Sequence, residues 1–125
     1  MDNIQMFEKA MEIQEAWKPQ DGDWYCERGG GVPHLIMWDL AKHWTTATLK
    51  TYFFWLATQE QLQGMLEWWA LNKWSFNGRD DFFLEVHAEE LSKGFWGNSA
   101  VKVLIQGVMW QKHHKVWIGA DWVPL

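Results

Sequence analysis

Apolar residues recur at helical spacing from the start of the chain. Ile4, Phe7 and Met11 form one stripe, and Met6, Ala10, Ile13 and Trp17 a second beside it, while Glu8, Lys9, Glu12 and Glu15 take the other side. The spacing predicts one helix over Asn3–Trp17, capped by Asp2 with Gln5 three residues on. So broad an apolar face asks for a sheet or two neighbours. Pro19 cannot continue the helix, and Asp21-Gly22 is turn chemistry. WYCER and HLIMW then flank GGGVP, the pattern of a β-hairpin turning on glycines. Residues 39–50 fit either a short helix capped by Asp39 or a loop leading into a strand. TYFFWL, β-branched and aromatic, predicts a buried strand.

Thr58 with Gln61 forms a T-x-x-Q capping box, and Leu62, Met65, Leu66 and Trp69 follow at i, i+3, i+4 and i+7. A helix with that core face is expected, with Trp68 on its flank. NGRDD predicts a turn. DFFLEVHAEELSK is taken as a further helix offering Phe82, Phe83, Val86 and Leu91 to the core, and GFWGN as a loop. Asn98 or Ser99 caps a last helix through about His114. Val101, Leu104, Ile105 and Val108 form its core face, with Val103 and Trp110 on the opposite side around Gly107. A helix apolar on both sides is either sandwiched within its domain or exposed to a partner. KVWIGADWVPL predicts a tight terminal hairpin turning near Gly119. These elements define an α+β fold, three to four helices packed on a small antiparallel sheet. The sheet draws on the first hairpin, TYFFWL and the terminal hairpin, in a single domain over 1–125.

Composition changes this picture in one respect. The chain carries 12 tryptophans, at positions 17, 24, 38, 44, 55, 68, 69, 74, 96, 110, 117 and 122. They are spread along the sequence and make no local motif. Trp17, Trp55 and Trp69 fall on predicted core positions. Trp68, Trp74, Trp96 and Trp110 do not all have an obvious place inside, and exposed tryptophan is a frequent hot-spot residue at interfaces. A stacking site for a nucleobase or sugar would need polar or cationic neighbours, for which Arg28, Arg79, Lys73, Asn77 and Lys93 are candidates. The formal net charge of −5 excludes the basic footprint of a general nucleic-acid binder. One cysteine, Cys26, precludes an internal disulfide and suits a reducing cytoplasm. The first residues lack a signal-peptide pattern, and no apolar run approaches the ~20 residues that span a bilayer.

Catalytic chemistry finds little support. Cys26 and His34 face each other across the predicted hairpin, but no nucleophile signature surrounds them, and a lone strand cysteine is ordinarily buried and inert. His87 and Glu90 would share one helix face, two metal ligands where a catalytic zinc needs three. Adjacent His113 and His114 diverge by about 100° on a helix. The acid pairs Asp80-Asp81 and Glu89-Glu90 are ordinary complements of helix N-termini. ERGGGVP lacks the lysine and helix of a phosphate loop. No catalytic residue, metal or cofactor is expected.

Three segments carry a resemblance: EIQEAWKPQDGDWY at Glu12–Tyr25, FWLATQEQLQGML at Phe54–Leu66, and KVWIGADWV at Lys115–Val123. In order and spacing they resemble small uncharacterised proteins encoded by phages and prophages of Gram-positive bacteria. That pattern runs from an amphipathic helix to G-D-W, a W-L-P-x-Q-x-Q-L-Q helix and a C-terminal K-V-W-x-G-x-x-W-V. Ala57 stands where it usually has proline. The resemblance implies a phage or prophage gene expressed in the bacterial cytoplasm, and it implies no activity. The expected function is that of a non-catalytic binding protein acting on a host protein, such as a defence factor, or on itself as a homo-oligomer. The alternative is a protein that sequesters a small nucleotide by tryptophan stacking and Arg/Lys contacts. The candidate binding residues are Trp68, Trp74, Trp96, Trp110, Arg28 and Arg79.

Overall fold

The computed structural model describes residues 2–29, 33–35, 44–66, 71–76, 82–88 and 91–124, with side chains for all of these except 2, 3, 34, 35, 71–76, 87 and 88. The fold is α+β, with helices and small antiparallel sheets. The chain divides into two compact units, 1–57 and 58–125. Among the described residues no helix is long and apolar enough to cross a membrane.

The first unit opens with α1 (Asp2–Lys9) and α2 (Met11–Ala16). The expected continuous helix over 3–17 is thus two. Ala10 leaves helical geometry at φ −82° and ψ 75°, and its N–H closes on the Phe7 carbonyl at 3.2 Å. The cause lies in Gln14, which turns its amide inward although only 3% of the residue is exposed. Its Nε2 donates to the Phe7 carbonyl and to the Trp55 carbonyl, both at 2.9 Å, and its Oε1 accepts from the Trp55 N–H at 2.7 Å. Met6, Phe7, Ala10, Ile13 and Trp17 fill the core around it, as the apolar stripes predict.

Strands β1 (Trp24–Glu27), β2 (His34–Leu35) and β3 (Phe53–Leu56) form an antiparallel sheet in the order β2-β1-β3. The hairpin between WYCER and HLIMW is present in the register Trp24↔Leu35 and Tyr25↔His34. Residues 36–38 of it lie outside the described set. Helix α3 (Thr46–Tyr52), capped by the Thr45 hydroxyl, fills the end of the stretch that sequence left open between helix and strand. It also takes Thr51 and Tyr52, so the strand predicted at TYFFWL begins at Phe53. Trp55 pairs with Tyr25 in register, and its N–H and C=O go to Gln14. The amide of Gln14 therefore occupies the place of a neighbouring strand along the free side of β3. Trp17 stacks parallel to Trp55 with centroids 6.3 Å apart, and its indole donates to the buried Asp23 carboxylate at 3.0 Å. That carboxylate also accepts from the Gln20 N–H at 3.1 Å, closing the turn that Pro19 and Gly22 predict.

The second unit begins with α4 (Gln59–Met65). Both bonds of the Thr58/Gln61 capping box are formed. The helix ends at Met65, short of the expected Trp69, because Leu66 is extended at φ −77° and ψ 143°. Residues 67–70, with Trp68 and Trp69, lie outside the described set. Strands β4 (Leu71–Phe76), β5 (Phe82–Ala88) and β6 (Leu91–Gly97) follow as an antiparallel meander. This corrects the helix assigned to DFFLEVHAEELSK and the loop assigned to GFWGN. Leu84 and Val86 are fully buried while Phe83 and Glu85 are only half-buried, a period of two rather than 3.6. Packing of alternate residues outweighed the helical placement.

Helix α5 (Ala100–His113) is capped by the Ser99 hydroxyl, which accepts from Lys102 N–H at 3.1 Å, and ends at His114 in the left-handed region (φ 54°). It lies on β5 and β6. A Cβ at Gly107 would stand 2.7 Å from Leu84 Cδ2, so only glycine lets the helix approach this closely. Strands β7 (Lys115–Trp117) and β8 (Trp122–Pro124) make the expected terminal hairpin, with Gly119 at φ 97° in the turn. It forms a two-stranded sheet of its own rather than joining the first hairpin.

Candidate interaction surface

The β4-β5-β6 sheet has two unlike faces. On one, Leu84, Val86 and Phe95 are buried, and Phe95 meets Trp110 of α5 with centroids 6.3 Å apart. The other carries Phe83, Glu85, Gly94 and Trp96, since cross-strand partners share a face and Phe83 stands opposite Trp96, Glu85 opposite Gly94. Trp96 is 61% exposed. Its ring lies 4.6 Å from that of Phe83 at 41°. The Phe83 ring in turn rests on Gly94, where a Cβ would come within 2.6 Å of Phe83 Cε2. Gly94 thus leaves the space that lets Phe83 reclining across β6 support the Trp96 indole. The result is an aromatic ledge on a sheet whose reverse side is fixed by α5. It offers a flat π surface for stacking or hydrophobic contact.

The six candidate residues part company here. Trp96 is where a contact residue should be. Trp110 is only 4% exposed and is a core residue of this unit, which corrects its proposed role at an exposed face. Both sides of α5 are covered, as burial of Val103, Leu104, Ile105, Gly107 and Val108 shows. Trp74 pairs with Leu84 in register, and its side chain is not among those described. Trp68 and Arg79 lie outside the described residues. Arg28 belongs to the first unit, where its Nε donates to the Lys50 carbonyl at 2.9 Å and its N–H to the Tyr52 carbonyl at 2.9 Å. The N–H of Gly29 donates to the Glu8 carboxylate at 3.2 Å, so a carboxylate already occupies this end of the glycine turn.

Of the other tryptophans, Trp38 and Trp69 lie outside the described residues, and Trp44 packs against Tyr52 and Phe53. Trp17, Trp55 and Trp122 are buried, and Trp117 pairs with Trp122 across the terminal hairpin at 5.3 Å. Trp24 is 42% exposed in the first unit. Sequence reasoning missed Phe83 as a surface residue, having placed it in the core of a helix. Its signal is the alternation in FFLEV, which predicts a strand with Phe83 and Glu85 on one face.

The proposed chemistry at Cys26 loses its geometry. His34 is paired with Tyr25, which puts Cys26 on the opposite face of β1 from Tyr25, and Cys26 is fully buried. His87 lies on β5, so the helical face it was to share with Glu90 does not exist, and Glu90 is outside the described residues. Among the described residues no three His, Cys, Asp or Glu gather as metal ligands. Burial, and secondarily the Glu27 charge, hold the Tyr25 phenol above its ordinary value of 10.0. No protein-family model, curated protein or solved structure matches the chain.

Proposed function

We propose that the chain is a non-catalytic binding protein whose contact surface is the open face of the β4-β5-β6 sheet, centred on Trp96 and Phe83. The observation that carries this reading is the 61% exposure of an indole held against a second aromatic ring at 4.6 Å. A large side chain fixed in place before contact loses little conformational entropy on binding. Its partner in this reading is a protein of a bacterial host, met in the cytoplasm. The phage resemblance of the three segments supports that setting and a defence factor as the kind of target.

The nucleotide reading keeps one candidate cation by register, Lys73 opposite Glu85, and loses another. Lys93 stands opposite Val86, on the buried side of the sheet, with its ammonium 5.9 Å from the Phe95 centroid. It is not a cation beside the ledge. The test compares capture from host lysate by the wild type, Trp96→Ala and Trp24→Ala. A partner retained by Trp24→Ala and lost by Trp96→Ala is expected. Capture that survives Trp96→Ala removes the ledge from the account. Millimolar AMP that moves the Trp96 indole resonance, with no protein captured, favours the nucleotide alternative.

A further inference from the structure

Among the described residues β6 pairs with β5 alone, and Leu91, Ser92, Gly94 and Trp96 along it are exposed. In an antiparallel strand the backbone groups of every second residue point away from the neighbour. A row of such groups is complementary to another strand. The usual protections are thin. The register with β5 runs unbroken from Phe82↔Gly97 to Ala88↔Leu91, without a bulge. LSKGFWG holds no proline, and its single charge, Lys93, lies toward the Phe95 ring.

We propose that β6 pairs antiparallel with β6 of a second copy of this chain, about a two-fold axis at Gly94. In that register Leu91 stands opposite Gly97 of the second copy, Ser92 opposite Trp96, and Lys93 opposite Phe95. Leu91 and Trp96 each meet a small residue, and each ammonium meets an aromatic ring that attracts it. A two-fold at Lys93 would set two like charges against each other, which is destabilising. A two-fold at Phe95 would pair only 93–97. The Gly94 register alone uses all seven residues and separates the charges. The interface is small, below the ~1,200 Å² of ordinary stable complexes, so monomer and dimer exchange with concentration. The joined sheet carries two aromatic ledges on one continuous face. This pairing stands independently of the ledge's partner.

Sedimentation equilibrium of the full chain, from micromolar to millimolar, is the first test. The average mass is expected to climb from 14.9 kDa toward twice that value, and Ser92→Glu, which sets a carboxylate against the electron-rich face of Trp96, to hold it at 14.9 kDa. Register is tested by oxidising the double variant Ser92→Cys/Trp96→Cys at high concentration. Positions 92 and 96 of one chain lie about 13 Å apart along a strand, too far for a disulfide, whereas they face each other between copies. A disulfide-linked dimer is expected from the double variant and none from Ser92→Cys alone. A mass of 14.9 kDa at every concentration overturns the proposal. So does a dimer that Ser92→Glu leaves intact, or equal cross-linking by the single variant.

Discussion

Replacing Gln14 should damage the first unit more than its polar side chain suggests. The amide makes three buried hydrogen bonds, to the Phe7 carbonyl and to both backbone groups of Trp55. Gln14→Ala strands the N–H and the carbonyl of Trp55, while the Phe7 carbonyl keeps the Ala10 N–H. A buried group left without a partner costs about 1–3 kcal/mol. Water entering the vacated space recovers part of this, so the expected loss is about 3–4 kcal/mol. That is a large share of the ~5–15 kcal/mol that holds a domain folded. With a urea dependence of about 1.5 kcal/mol per molar, the midpoint falls by about 2 M. Gln14→Glu sharpens the test because its shape is nearly conserved. The carboxylate still accepts from the Trp55 N–H, but it cannot donate to the two carbonyls, and it buries a charge. Burial raises the pKa of such a carboxyl above its unfolded value of about 4.3, so stability is lost as pH rises through the folded value and regained in acid. Urea melts followed by tryptophan fluorescence at neutral and acid pH measure both variants. Losses under about 1 kcal/mol for both would refute the role given to Gln14.

Other expectations are smaller in scale. Thr58→Ala removes the hydroxyl of a complete capping box and should cost about 1 kcal/mol in the same melts, with Thr58→Ser restoring most of it. Gly94→Ala should displace the Phe83 ring from its seat, changing the Trp96 indole resonance and weakening capture while stability stays within about 1 kcal/mol of wild type. Tyr25 favours its neutral form in the fold, so its contribution is complete below pH 10.0 and is lost as pH rises through the folded value. In a Tyr52→Phe background, absorbance titration should show Glu27→Gln lowering the Tyr25 midpoint but leaving it above 10.0, because burial is the larger cause.

Local signals in the sequence were strong wherever chemistry acts over a few residues. The Thr58 and Ser99 caps, the Asp21-Gly22 turn, the first hairpin and the Gly119 turn all lie where spacing predicts them. The break at Ala10 was hidden because it depends on Gln14 meeting Trp55, 41 residues away. The region 82–97 misled for a different reason. Phe82, Phe83, Val86 and Leu91 satisfy a loose helical stripe, and only the burial of alternate residues on both strands identifies a hairpin. With that error the ledge was invisible, since Phe83 and Trp96 meet only as cross-strand partners. Trp96 itself was legible as a tryptophan without a core position, whereas Trp110 belongs to a helix sandwiched within its unit.

Everything proposed for the open sheet face depends on Trp96 being an exposed indole on a fixed aromatic ledge. Photochemically induced nuclear polarisation tests it without any partner, because only tryptophans open to a dissolved dye give enhanced signals. Indole resonances are assigned by single substitution, and the chain is kept dilute enough to be monomeric. Strong enhancement is predicted for Trp96 and Trp24, with none for Trp17, Trp55, Trp110 and Trp122. A silent Trp96 beside a responsive Trp110 would contradict the account.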